Sequence, residues 1–306
     1  MIQFLTYAAV GIFVVAVIVR VKHWAGSSFH LRWEIYPDCR EKSKEYGGSY
    51  YEELNWWERP RSHYFMGALK YMLIETLLMR GLWKNQRKLW RASFPFHLGL
   101  YLLCVFLVLL FAGAVLEAAG INVSRSSSNP FIILIVYLTT ITGFAGLILG
   151  LAGAVGLLFM RATAENLRLY SSAVDYFTLG FFIVLFTAWL LTCITGGEMR
   201  DFSQARNYLE KMITFQATGY PGLSFSLSLI LLDLMLIYAP FTRMLHPLAK
   251  YFFYYKVKWD DIPNVPGGTI ERKVERALRR PVMWSAPHIR GDGSKTWKKA
   301  VDEEVQ

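Results

Sequence analysis

Five long apolar runs, at residues 2–21, 95–118, 130–160, 173–195 and 223–246, constrain this chain more than anything else in it. Crossing about 30 Å of hydrocarbon takes roughly 20 helical residues at 1.5 Å each, and every run meets that length. Hydrocarbon offers no water to backbone N–H and C=O groups, so such runs fold as helices that satisfy their own hydrogen bonds. The pattern predicts an all-α integral membrane protein, a bundle of five transmembrane helices. The first run reads as a retained helix and not a cleaved signal. No Lys or Arg precedes it, it is long, and no small-x-small site follows it.

Charge supplies the orientation. The segments 22–94, 161–170 and 247–306 together hold 27 Lys and Arg, whereas 118–130 and 197–222 hold 4. Basic residues gather on the cytoplasmic side, so the N-terminus is expected outside and the C-terminus in the cytoplasm of a multi-pass plasma-membrane protein. The expected organisation is transmembrane helix 1 at 1–22, a cytoplasmic loop with an interfacial helix at 23–94, helices 2–5 at 95–247, and a cytoplasmic tail at 248–306. The net charge of +10 then belongs to topology and to contact with anionic lipid. Neither a phosphate loop nor a nucleic-acid module is present, so nucleic acid is not an expected partner. Cys39, Cys104 and Cys193 lack the short spacing of an iron–sulfur or zinc motif.

The loop is too long for a simple connector and too aromatic for simple disorder. Residues 66–83 carry Leu69, Met72, Leu73, Leu77 and Met79 at helical spacing, interrupted by Lys70, Glu75 and Arg80. That pattern suits one helix lying in the interface. Ser93 is expected to cap the second transmembrane helix, with Pro95 in its first turn. A short surface helix is expected at 202–215, an aromatic belt at 251–255, a basic surface helix at 269–280 and an extended segment at 281–297.

A histidine in a membrane span is costly without a partner. His97 and His246 are the two histidines inside the long apolar runs. His97 opens the second and His246 closes the fifth, at the same predicted depth on the cytoplasmic side. Two imidazoles facing one another across a bundle are the usual axial pair of a b-type haem, with His97 and His246 then ligating the iron. The plainer alternative is two interfacial histidines reaching water. Arg243, three residues before His246, shares nearly its helix face and suits a haem propionate, or equally a positive-inside anchor. Asp233, in mid-span, is a candidate proton acceptor for a quinol, or a buried hydrogen bond to a neighbouring helix. Glu117, at the outer end of the second helix, is a weaker quinone-site candidate. His23, His30, His63 and His288 read as surface or structural. If the loop folds beneath the bundle, His23, His30 and His63 are candidate ligands of a second haem.

Several segments resemble a known family: 30–37, 46–57, 82–103 (with Ser93-Phe-Pro-Phe-His97-Leu-Gly-Leu-Tyr101) and 284–289. They are similar to the haem b membrane subunits related to the gamma subunit of respiratory nitrate reductase. Within these they look most like the DsrM (HmeC) type of sulfite-reductase-associated complexes, with the Tmc-type cytochrome b as nearest competitor. The resemblance implies a cytochrome b subunit exchanging electrons between menaquinone and a cytoplasmic iron–sulfur subunit similar to heterodisulfide reductase, within a larger redox complex of sulfate respiration. It also implies two histidines on each of helices 2 and 5. The chain departs from that pattern: ten residues past His97 stands Leu107, so one haem b is expected and a second is open. The rival from another class is a haem-free membrane anchor or transporter subunit. Against a transporter, no pair of broken helices occupies matched halves.

Overall fold

The computed structural model describes residues 2–26, 65–195, 201–252, 266–286 and 289–302. Among these residues, five helices are long and apolar enough to cross a membrane. The chain divides into two compact units, Met1–Val15 with Ile74–Thr242, and Ala16–Leu73 with Arg243–Gln306.

Along the chain run α1 (Ile2–Gly26), α2 (Phe65–Leu78), α3 (Arg80–Asn85), α4 (Arg87–Ala118), α5 (Pro130–Thr163), α6 (Glu165–Leu169), α7 (Ala173–Thr195), α8 (Ser203–Ile213) and α9 (Leu223–Tyr238). Within the first unit the closest packing is α4 against α5. A Cβ on Gly99 would lie 2.7 Å from Gly150 Cα and 2.8 Å from Gly146 O, and one on Gly153 would strike the Phe96 backbone. The two helices therefore touch backbone to backbone through small residues, the usual solution where lipid supplies no hydrophobic drive between helices. Asn129 caps α5 by accepting from Phe131 N at 2.9 Å, with Pro130 in the first turn. That is the arrangement in which a proline's missing N–H costs nothing.

Three expected boundaries change. The helix carrying His97 starts at Arg87 and not at residue 95, so Pro95 lies inside it and Ser93 is a buried helical residue, not its cap. At about 1.5 Å per residue its 32 residues outrun the hydrocarbon. Its leading turns carry Arg87, Lys88 and Arg91 and are braced by aromatic packing, Trp83 edge-on to Trp90 at 4.6 Å and Trp90 stacked on Phe94 at 4.5 Å. This packing outweighs the single backbone bond that Pro95 forfeits. The helix expected at 66–83 is two, because Met79 adopts a left-handed conformation (φ 48°) and the Glu75 carboxylate accepts from Gly81 N across the break. The fifth span stops at Tyr238, eight residues before the apolar run ends, and continues as 3-10 turns at Ala239–Phe241 and Arg243–Leu245. Pro240 and Pro247 disrupt α-helical hydrogen bonding there. The helix expected at 202–215 forms as α8, and one face of it, Ala205, Arg206, Tyr208 and Met212, is buried.

In the second unit, the end of α1 packs Trp24 on Phe252 (6.2 Å between ring centroids). Its tail forms α10 (His246–Lys250), α11 (Thr269–Leu278) and α12 (Trp297–Asp302). The segment expected to be extended folds back as a two-stranded antiparallel ribbon, β1 (Ser285–Ala286) on β2 (Ile289–Arg290). Asp292 turns the chain after it, accepting from Ser294 N, Ser294 Oγ and Lys295 N at 2.7–2.8 Å. Those three bonds hold its carboxyl at about 2, below the usual carboxylate range. The all-α description thus gains one small ribbon. His30, His63, His288 and Cys39, with segments 30–37 and 46–57 and most of the aromatic belt, lie outside the described residues.

Candidate cofactor sites

His97 stands ten residues into α4 and is half-buried. Its Nδ1 lies 2.7 Å from the Ser93 carbonyl oxygen and 3.3 Å from Ser93 Oγ. A carbonyl only accepts, so in the neutral ring Nδ1 carries the proton and Nε2 the lone pair. One turn further, the Tyr101 hydroxyl donates to the Thr76 carbonyl at 2.6 Å, and the Trp90 indole donates to the Leu78 carbonyl at 3.0 Å. The end of α2 is thereby fastened over the stretch of α4 that carries His97.

His246 begins α10 in the second unit and is exposed. Its Nδ1 lies 3.0 Å from the Arg243 carbonyl oxygen, so it too carries its lone pair on Nε2. Arg243 is exposed, in the 3-10 turn just before it. Among the candidates for a second haem, His23 sits exposed in the last turn of α1.

Asp233 lies two-thirds along α9 and is 0% exposed. Its Oδ2 accepts from Thr6 Oγ1 at 2.9 Å, and Thr6 Oγ1 is 3.0 Å from the Tyr208 hydroxyl. With the Thr6 proton given to Asp233, Tyr208 donates to Thr6, and the three groups form one chain. Among the described residues, Asp233 Oδ1 is buried with no hydrogen-bond partner. All three side chains line a cavity of about 300 Å³ whose other walls are Leu103, Phe106, Gly143, Trp189, Phe225 and neighbouring apolar groups. Burial raises the Tyr208 phenol above its ordinary value. Glu117, by contrast, is engaged by Arg206: Nε donates to Glu117 Oε1 at 2.8 Å, while Nη2 donates to the Val123 carbonyl at 2.6 Å. Gly113 makes room for the arginine stem, since a Cβ there would sit 2.7 Å from Arg206 Cδ.

Sequence reasoning passed over Thr6, Tyr208 and Arg206. A signal for α8 existed, because Ala205, Tyr208, Leu209 and Met212 repeat at i, i+3, i+4 and i+7. Nothing in the sequence separates Thr6 from other threonines in apolar helices, which usually bond their own backbone.

The sequence profile of the nitrate reductase gamma subunit family matches residues 82–260, a segment that holds both His97 and His246. The chain belongs to this family. No curated protein and no solved structure matches it. Nitrate reductase gamma-type proteins are membrane cytochrome b electron-transfer subunits of redox complexes, binding haem b and interacting with quinone. The donor set suits that group. A bis-imidazole site asks for two neutral rings with Nε2 lone pairs, each oriented through Nδ1 by an outer partner. His97 and His246 each have that tautomer and that kind of partner. Among the described residues, no cluster of three or more His, Cys, Asp or Glu side chains gathers as another metal site.

Proposed function

We propose that this gamma-type chain is the haem b subunit of a quinone-linked redox complex, with His97 and His246 as the two axial ligands. The observation that carries the reading is the matched carbonyl anchoring of both Nδ1 atoms, four residues back from His97 and three back from His246. Bound there, a bis-imidazole haem supplies one-electron transfer. The protein's share is to hold the rings, exclude water and tune the potential. Arg243 is the propionate partner. His23, His30 and His63 remain the candidates for a second haem, since Leu107 replaces the histidine the family pattern places on α4.

The finer assignment rests on the motifs at 30–37, 46–57, 82–103 and 284–289. They favour a DsrM-type subunit that passes electrons between menaquinone and a cytoplasmic heterodisulfide-reductase-like iron–sulfur subunit in dissimilatory sulfur metabolism. In this reading the N-terminus is outside, and 23–94 and 248–306 form the cytoplasmic dock, in a multi-pass plasma-membrane protein. A reduced-minus-oxidised spectrum of purified wild-type, His97→Ala and His246→Ala proteins tests it. A b-type band that each substitution removes is the expected result. No band in the wild type ends the cytochrome reading, leaving a haem-free anchor, and a band surviving both substitutions ends the ligand assignment. Haem-to-protein stoichiometry in the same samples decides between one haem and two.

A further inference from the structure

We infer that Ser93 and Met79 are positioning residues for His97: through the Ser93 hydroxyl, the bend between α2 and α3 sets the donor strength of the His97 imidazole. The inference rests on the ligand reading above and adds which side chains tune that ligand.

Thr139, Thr142, Thr178 and Ser226 each donate to the carbonyl four residues earlier in their own helix, the habit of hydroxyl side chains in apolar helices. Ser93, buried in α4, does otherwise. Its hydroxyl donates to Met79 Sδ at 3.7 Å, outside its own helix, and its oxygen stands 3.3 Å from His97 Nδ1. The Nδ1 proton is already directed at the Ser93 carbonyl, 2.7 Å away. With the hydroxyl proton given to sulfur, the Ser93 oxygen presents its lone pairs and serves as a second acceptor for the same N–H.

The bend carries Met79 to Ser93. Met79 holds a left-handed conformation (φ 48°) between α2 and α3. Both Glu75 carboxylate oxygens accept from Gly81 N at 3.1 Å across it. A Cβ on Gly81 would lie 2.8 Å from Glu75 Oε1, so the close approach needs glycine there. From α4, Trp90 donates to the Leu78 carbonyl and Tyr101 to the Thr76 carbonyl, one on each side of the stretch from Ser93 to His97. A thioether is a weak acceptor. Met79 is therefore placed over Ser93 by bonds in which its own side chain takes no part.

An acceptor on Nδ1–H draws the proton outward and makes Nε2 a stronger donor. A stronger donor favours ferric over ferrous iron and lowers the potential, one of the levers by which a protein tunes a haem. The Ser93 hydroxyl adds to the carbonyl in that direction, and its own bond to sulfur polarises it further. No proton or electron passes along Met79, Ser93 and His97. They act by position and by charge distribution.

The test uses the full chain with its co-purifying subunits in lipid nanodiscs. Spectroelectrochemical titration reads the midpoint potential of the b-type band that His97→Ala removes. Solid-state NMR of samples carrying isotope-labelled histidine, in the reduced state, reads the Nδ1–H proton of His97, assigned as the resonance missing from His97→Ala. Ser93→Ala suits a helix, and Met79→Leu keeps the volume, so both variants fold. Ser93→Ala should move the reduced-to-oxidised ratio at fixed potential roughly threefold towards reduced, about 28 mV at about 59 mV per tenfold. It should also move the Nδ1–H resonance upfield. Met79→Leu should shift both in the same direction and by less. The double variant should match Ser93→Ala, because Met79 acts through Ser93, whereas independent structural effects would add. Potential and resonance unchanged in Ser93→Ala, or one moving while the other stays, overturns the inference. A double variant that shifts beyond Ser93→Ala overturns the part of Met79. The resonance separates the two claims. If it moves in samples without any b-type band, the Ser93 bond is supported while the ligand reading is refuted. If a band is present and neither readout moves, this inference fails and the ligand reading stands.

Discussion

Replacing Gly99 by alanine should loosen α4 from α5, and the size of the effect follows from the geometry. The new Cβ would lie 2.7 Å from Gly150 Cα and 2.8 Å from Gly146 O, where ordinary contacts begin near 3.4 Å. The helices must separate by about 0.6 Å or more, and the atoms met are backbone, which cannot rotate away. Overpacking of this kind costs about 1–3 kcal/mol, and a backbone obstacle argues for the larger figure. Alanine returns about 1 kcal/mol as the better helix former, so the net loss is about 2 kcal/mol. Gly180, on α7, is the control: nothing lies within 4 Å of a Cβ there, and Gly180→Ala should gain about 1 kcal/mol from propensity alone. The assay is a thermal melt of both variants in nanodiscs, followed by intrinsic tryptophan fluorescence. The variants should fall on opposite sides of the wild type, separated by about 3 kcal/mol. Gly99→Ala melting at or above the wild type would refute the close crossing and the account of small residues built on it.

Three further outcomes are expected. Arg206→Ala leaves Glu117 without its cation and the Val123 carbonyl without its donor. It should cost about 3 kcal/mol, and Arg206→Met with Glu117→Gln should recover part of that, read from the same melts. Met79→Gly, at a left-handed position, should raise stability by up to about 1 kcal/mol, because glycine adopts that conformation without a Cβ clash. The Asp292 turn should be pH-sensitive in the acid range. Its folded value of about 2 lies below the ordinary aspartate value of about 3.9, so the contribution is complete above about 4 and disappears as pH falls through about 2. Hydrogen exchange at Ser294 and Lys295 should speed up across that window in the wild type, and Asp292→Asn should abolish the dependence.

The membrane spans were legible because their signal is local. About twenty apolar residues in a row predict a helix whatever surrounds them, and the third and fourth runs match α5 and α7 within three residues. Helix ends were less legible. Pro95 reads as a start, yet packing of Trp90 against Trp83 and Phe94 carries the helix two turns further back. The fifth run reads as helix to His246, but with prolines at 240 and 247 its last eight residues form two 3-10 turns and the first residue of α10. Of the candidate residues, the carboxylates were visible only as anomalies. Whether Asp233 or Glu117 carries an open oxygen depended on the helix opposite each one. Arg206 lies 89 positions from Glu117 and Thr6 lies 227 from Asp233, distances at which sequence pattern says nothing.

Sequence alone determined the architecture. Hydrocarbon forces each apolar run to satisfy its backbone internally, so composition suffices to predict five helices, and the family pattern within 82–260 predicts the haem chemistry. Tertiary structure decided which polar groups are spent and which are available. It pairs Glu117 with Arg206, ties one oxygen of Asp233 to Thr6, and buries the other without a partner among the described residues. Those are properties of neighbours across helices, and they arise only once the chain has packed.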